Sequence, residues 1–467
     1  MKHSLLRSIS MTATVLSATT LLSGCILDDI PLGTGYAAKY MCSGLWVSGL
    51  DEDKLKDEFI APQVKPLPSV WKFEIDENQK TVSVRDIFFG KTYQKTAYYR
   101  EGLGCTLTQD APLADLDDQL PANMTAPNTD YFSAWPHGEA DITAYSNDIS
   151  YNILDDAIDN AFLENNELVK NTLSVAVVHN GQLVAERYAE GVDKSTRLLS
   201  WSMAKTISAT VTGMLDDRGL LDAELPAPVT QWQGTDKAPI TLHNMLQMAS
   251  GISWNEAPQG DDPDQGYGLF QVEDMAGYYA EQDVEDAPNT VFNYSTGQSN
   301  LIAQISQNAL GGDLENYYRF VNDELFYPLN INSAVVEFDT VGQPVGGAFH
   351  YLTTRDWARL GLLLKNDGNW FGQQIVSADW VRKMLTPSDP NPSYGYQTWL
   401  NTNQTFWPEL PESSYAFRGF QGQVVMIIPD YDLVIVRTGV TFGGSLNQES
   451  SGISALALGA IEALQPL

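Results

Sequence analysis

A serine three residues ahead of a lysine pairs a nucleophile with a base at a spacing that a helix gathers onto one face. The chain carries this pattern twice, as Ser69-Val-Trp-Lys72 and as Ser202-Met-Ala-Lys205. The first lies in an alternating, strand-like segment where residues three apart point to opposite faces, so its hydroxyl and amine cannot meet. The second opens a segment whose apolar residues Met203, Ile207, Val211 and Met214 recur at helical spacing, with Gly219 as the stop. There the hydroxyl becomes reactive once the lysine sheds its proton, which burial and the positive end of the helix both favour. Other chemistries lack their residues: there is no G-x-S-x-G elbow, no H-E-x-x-H and no phosphate-cradling loop. The five histidines, His3, His137, His179, His243 and His350, are scattered and read as structural. Asp262-x-Asp264-x-Gly266 lacks the terminal glutamate of a calcium loop, so no metal or cofactor is expected.

Several elements must hold that pair in place. Leu173–Val178 and Leu183–Tyr188 flank Asn180-Gly181, a hairpin signal because both turn residues tolerate positive φ. Residues 206–340 are mostly helical in pattern. A second hairpin, Val424–Ile428 with Leu433–Val436 around Pro429, precedes a small-residue helix over Asn447–Leu464. The order of strands, helical insert, strands and helix predicts one antiparallel sheet flanked by helices and interrupted by a helical lobe, an α/β (α+β) fold. Ahead of it, residues 37–150 read as a small β-rich extension. Trp71-Lys-Phe-Glu-Ile and Thr81-Val-Ser-Val alternate there as half-buried strands do, and a linker-like stretch rich in Asp, Pro and Asn follows at about 109–130.

The nucleophile segment Leu198-Leu-Ser-Trp-Ser-Met-Ala-Lys-Thr206 resembles that of the serine β-lactamase-like, or penicillin-binding-like, hydrolases: class C β-lactamases, family VIII esterases and 6-aminohexanoate-oligomer hydrolases. Thr241-Leu-His-Asn-Met-Leu-Gln-Met-Ala-Ser-Gly-Ile-Ser-Trp254, Phe292-Asn-Tyr-Ser-Thr-Gly297 and Arg418-Gly-Phe-Gln-Gly-Gln423 resemble further segments of the same family in the same order. The resemblance covers about 170–465 and implies the β-lactamase/transpeptidase-like fold over 151–467. It implies that Tyr294 joins Ser202 and Lys205, its phenol made more acidic by the lysine's charge, and passes the serine proton to the leaving group. Tyr145-Ser-Asn147 fits the tyrosine motif better in letters but precedes the nucleophile, so Tyr294 is preferred. The backbone N–H groups of Ser202 and Gln423 would form the oxyanion hole, with Gln421 and Gly422 lining the site and Gly422 allowing close approach. Trp201, Trp254, Tyr396 and Trp399 could wall an acyl pocket. Of these Tyr396 is taken as substrate-binding, because Tyr394-Gly-Tyr-Gln-Thr-Trp399 resembles a family segment near the site.

Departures from the β-lactamases narrow the reading. Their Lys-Thr-Gly is replaced by Phe420-Gln421-Gly422, and Thr296 stands where they have asparagine. Residues 254–287 contain ten acidic and no basic residues, a field hostile to anionic drugs if that loop flanks the pocket. The expectation is therefore a serine hydrolase acting on small-molecule esters or linear amides. The alternatives are a peptidoglycan D,D-peptidase or D-amino-acid peptidase, and a non-catalytic envelope binding lipoprotein.

Composition agrees with a folded, acidic protein. Of 467 residues 43% are hydrophobic and 18% charged, and 59 acidic against 27 basic residues give a formal charge of −32, which disfavours nucleic acid as a partner. Lys2 and Arg7, an apolar run from Met11 to Leu22, and Leu22-Ser-Gly-Cys25 resemble a bacterial lipoprotein signal over 1–24. Lipid on Cys25 and a tether over 25–36 would hold the protein in the cell envelope, facing the periplasm. Cys42 and Cys105 then remain as an even pair for an oxidising compartment, expected to form a disulfide.

Overall fold

The structure is a computed structural model that describes residues 16–64, 70–143, 145–164, 169–257, 263–442 and 451–464, with side chains from residue 30 onward. Its centre is a six-stranded antiparallel sheet. In chain order the strands are preceded by helix α1 (Leu16–Ser43), a small sheet of β1 (Trp71–Asp76), β2 (Thr81–Asp86), β3 (Lys95–Arg100) and β4 (Gly104–Leu107), and helix α2 (Tyr151–Phe162). The central sheet contains β5 (Thr172–His179) and β6 (Gln182–Tyr188), then β7 (Trp399–Leu400), β8 (Tyr415–Gly419), β9 (Gln423–Ile428) and β10 (Leu433–Gly439). Its strand order is β7-β8-β9-β10-β5-β6, so the long helical excursion between β6 and β7 leaves one sheet and returns to it.

The turns behave as their residues require. Asn180 and Gly181 have φ of 51° and 72°, and His179 pairs with Gln182 across them. Both faces of the sheet are covered, and alternation sorts the side chains. Val425, Ile427, Val434 and Val436 enter the core shared with the helical lobe, whereas Val424, Met426, Leu433 and Ile435 pack with α2 and the last helix, Ile453–Ala463. The run Val-Val-Met-Ile-Ile is apolar at every position because neither face meets water.

The beginning of the chain departs from expectation. Residues 25–36 are not a loose tether, since α1 runs unbroken from Leu16 to Ser43 and is buried at Ile30, Leu32, Thr34 and Tyr36. The reason is close packing. A Cβ on Gly33 would lie 2.5 Å from the Trp71 ring, so glycine lets the helix press onto the small sheet, and the Thr34 hydroxyl donates to the Tyr93 carbonyl at 2.7 Å. Cys25 lies on the backbone of α1, with its side chain outside the described residues, as is Ser69 of the rejected motif. The extension is thus more than β-rich, having a 28-residue helix as its spine. Cys42 on α1 is bonded to Cys105 on β4, with Cα atoms 6.1 Å apart, and both are fully buried. No described helix is long and apolar enough to cross a membrane.

Candidate active site

Ser202 sits in a single 3₁₀ turn, Trp201–Met203, that feeds helix α3 (Ala204–Asp216). One turn along, the Lys205 ammonium lies 3.1 Å from the Ser202 hydroxyl. It also reaches the Thr296 hydroxyl at 2.9 Å and the Gly347 carbonyl at 3.0 Å. A neutral amine has two N–H bonds and one lone pair. With the N–H bonds held by Thr296 and Gly347, the lone pair is left facing the serine. Lys205 is 1% exposed, and burial lowers its pKa to about 8, with the negative charge of Glu256 opposing the shift.

Thr296 begins helix α4 (Thr296–Ala309) and is a relay rather than an isolated side chain. Its hydroxyl accepts from Lys205 and donates to Glu256 at 2.5 Å, while its backbone N–H donates to the other Glu256 oxygen at 2.8 Å. Trp254 Nε1 donates to that same oxygen at 2.5 Å. Burial pushes the Glu256 carboxyl up, and the Lys205 charge pulls it back. The acidic 254–287 segment therefore does reach the site, through one residue that composition alone did not single out.

Tyr294 lies beside the pair, its ring centroid 5.0 Å from Lys205 Nζ. Its phenol is not made more acidic, as the resemblance implied. Burial raises its pKa first and the Glu256 charge adds to this, with Ser202 and Arg418 pulling weakly the other way. A phenol in this state is a neutral proton donor at ordinary pH, which leaves Lys205 as the group able to accept.

The remaining expected residues divide. Gln421 is 2% exposed, and its Oε1 accepts from Trp201 Nε1 and from the Tyr40 hydroxyl of α1, each at 2.9 Å. Trp201, whose φ of 44° is unusual for a bulky residue, is further packed by the Tyr36, Tyr40, Phe349 and Phe420 rings. The N-terminal helix thus braces the turn that carries the nucleophile. Gly422 has φ of 81°, and a Cβ there would meet Arg437 and lie 2.9 Å from Thr441 Oγ1, so its glycine is set by backbone and packing rather than by approach to substrate. The Gln423 side chain is paired with the Gly439 backbone, leaving its own backbone as the part that could serve an oxyanion.

Tyr396 is not in the site. It is buried in the helical lobe, with its hydroxyl 2.5 Å from His243 Nδ1 and its ring against Trp380. The Tyr394–Trp399 stretch turns back on itself, pairing Tyr394 with Trp399, and Tyr394 is the tyrosine that faces the site. The Tyr394 ring lies 6.0 Å from that of Tyr294 and 4.9 Å from that of Trp399. Trp399 in turn carries the Tyr294 ring at 5.4 Å and the Arg418 guanidinium at 5.2 Å. Tyr145 is exposed and packs on Tyr151, away from this cluster. Glu256 is the charged group that sequence reasoning missed, since it arrives through long-range folding, whereas Arg418 opens a segment already placed at the site but was given no role there.

A family described as Beta-lactamase matches residues 165–445. Among curated proteins, a 6-aminohexanoate-dimer hydrolase of Paenarthrobacter ureafaciens is 24% identical over 290 residues, covering 56% of this chain and 70% of that protein. Among solved structures, a family VIII carboxylesterase superposes with a TM-score of 0.54 at 14% identity, covering 69% of this chain and 99% of that one. A class C beta-lactamase mutant gives 0.51 at 16% identity, covering 66% and 96%. At these identities the structures speak for the fold, which is the antiparallel, helix-flanked arrangement expected from the sequence.

Proposed function

The chain belongs to the Beta-lactamase family of serine hydrolases, and from that premise we propose that it cleaves esters or small linear amides through an acyl-enzyme on Ser202. The observation that carries the reading is the 3.1 Å contact between Lys205 Nζ and the Ser202 hydroxyl, made by an amine whose pKa burial has lowered to about 8. Roughly a tenth of the molecules at pH 7 hold that amine neutral and ready to act.

In acylation the Ser202 oxygen bonds to the substrate carbonyl carbon while its proton passes to Lys205. The carbonyl oxygen takes the negative charge, for which the backbone N–H groups of Ser202 and Gln423 are the candidate donors. When the tetrahedral adduct collapses, the bond to the leaving alcohol or amine breaks and Tyr294, neutral beforehand, supplies the proton, recovering one from Lys205. Water then repeats the sequence on the acyl-enzyme and releases the acid. The absence of a lysine at Phe420, where the β-lactamases carry theirs, favours linear acyl compounds over β-lactams. The lipoprotein-like start would place this reaction in the cell envelope.

Ser202→Ala tests the assignment. Turnover of p-nitrophenyl esters and covalent labelling by a fluorophosphonate should both vanish with the thermal transition unchanged, and retained turnover would refute the role of Ser202.

A further inference from the structure

The turn between β2 and β3 carries Ile87, Phe88 and Phe89, which are 53%, 74% and 44% exposed. No other three consecutive large apolar side chains are exposed among the described residues. Local hydrogen bonds hold them there. The buried Asp86 carboxylate accepts from the N–H groups of Phe88 and Phe89 at 2.7 and 3.2 Å, and the Ile87 N–H donates to the Val70 carbonyl at 3.0 Å. The Phe89 ring meets that of Tyr93 edge-on at 5.6 Å. Single apolar residues are ordinary on a surface, whereas a contiguous group on a pinned turn marks a contact.

Charge and position say what the contact is with. From Ile87 to Arg100 there is no acidic residue, in a chain that has 59. Lys95 is turned to Gln109 and Asp110, and Arg100 is buried, so Lys91 is the exposed cation beside the rings, with no ion pair among the described residues. The small sheet lies along α1 in a fixed direction. At one end Trp46, just past α1, donates to Glu77 in the β1–β2 turn at 3.3 Å, and at the other Thr34 donates to the Tyr93 carbonyl at 2.7 Å. Strand β2 therefore runs back toward the start of α1, and the Ile87–Tyr93 turn stands at that end. Cys25 precedes Thr34 by nine residues, about 13 Å along the helix axis. Phenylalanine, tyrosine and lysine side by side suit a bilayer interface, where rings settle among the headgroups and an ammonium reaches the phosphates. A second copy of this chain suits it less, since two bodies of formal charge −32 would have to meet.

We propose that the Ile87–Phe89 turn docks into the headgroup region of a lipid bilayer, with Lys91 at the phosphates, as a second point of contact beside the lipid expected on Cys25. One point of attachment leaves a body free to swing, and two fix its orientation. Thr34 is two residues from Tyr36, whose ring packs on that of Trp201 at 6.4 Å. A docked turn would thereby set the height and tilt of the nucleophile turn above the membrane. The surface contact stands on the β2–β3 turn and does not depend on the reaction proposed for Ser202.

The test uses the full chain carrying Cys25→Ser, which removes the acylation site and leaves the Cys42–Cys105 disulfide as the only remaining cysteines. A bimane label is placed on the exposed turn at Thr92→Cys, and the protein is mixed with phosphatidylcholine vesicles. Doxyl groups on the lipid should quench the label at least twofold. Phe88→Ser combined with Phe89→Ser should abolish that quenching, and Phe88→Leu combined with Phe89→Leu should retain it, which keeps the result readable should serine unsettle the turn. Absence of quenching with both rings present, or equal quenching in the serine and leucine pairs, overturns the proposal. A dimer seen by sedimentation that the serine pair loses, with quenching intact, assigns the patch to a second copy and also overturns it.

Discussion

Two buried lysines each face a glutamate in this molecule, and the pairs are put to opposite uses. Lys39 on α1 contacts Glu337 directly, where the extension meets the hydrolase body. The other Glu337 oxygen accepts from the Cys105 N–H and the Ser43 hydroxyl, each at 2.7 Å, and Lys39 also bonds the Cys105 carbonyl. Burial drives each group of that pair toward neutrality and the partner's charge pulls it back. In the second case the Thr296 hydroxyl stands between Lys205 and Glu256, and the lysine's remaining direction is toward Ser202. The lesson concerns spacing. In contact, a lysine and a glutamate fix each other's protons and hold two parts of a chain together. One hydroxyl apart, the glutamate only biases the lysine, whose proton stays exchangeable with a third group.

The largest effects should separate these two sites by kind. Lys39→Met leaves Glu337 buried without its counter-ion and should cost about 3–5 kcal/mol in denaturant unfolding, most of it recovered in Lys39→Met combined with Glu337→Leu. Lys205→Met should instead leave stability equal or higher while kcat/KM drops by about three orders of magnitude. If the two single variants behave alike, the contrast is wrong.

The bias exerted by Glu256 has a measurable sign. The reactive form is the neutral amine, so kcat/KM should rise with pH through a limb near 8. Glu256 favours the ammonium, so Glu256→Gln should move that limb to lower pH, by about a unit or less. A limb that stays put or moves upward would show that the carboxylate does not act on Lys205.

The smallest effect lies where the two regions touch. Tyr40→Phe removes one of the two donors to Gln421 and should cost about 1 kcal/mol, read as a few-fold loss in kcat/KM with the unfolding midpoint little changed. Full activity in Tyr40→Phe would reduce the brace on Trp201 to packing alone.

What could be read in advance follows from how far along the chain each contact reaches. The approach of Ser202 to Lys205 is a property of one helical turn, and the Asn180-Gly181 hairpin is a property of two residues. The motif order also located the sheet and its helical insert. Helix α1 was hidden because Pro31, Gly33 and Gly35 are poor helix formers and its apolar start resembles an export signal; only the surface of the small sheet makes that helix worthwhile. Glu256 was hidden because nothing local marks it, its importance coming from Thr296 and Lys205, which lie far along the chain. Tyr396 was misplaced for want of knowing that its segment turns, which sends it to His243 and leaves Tyr394 facing Tyr294.

The hydrogen bond from Tyr40 to Gln421 bears on how this chain can be divided. Cutting out only the stretch that matches the family would strip Trp201 of two of its aromatic neighbours and leave Glu337 facing a gap where an ammonium had been. A chain shortened at that boundary would carry the nucleophile turn with part of its rear wall missing.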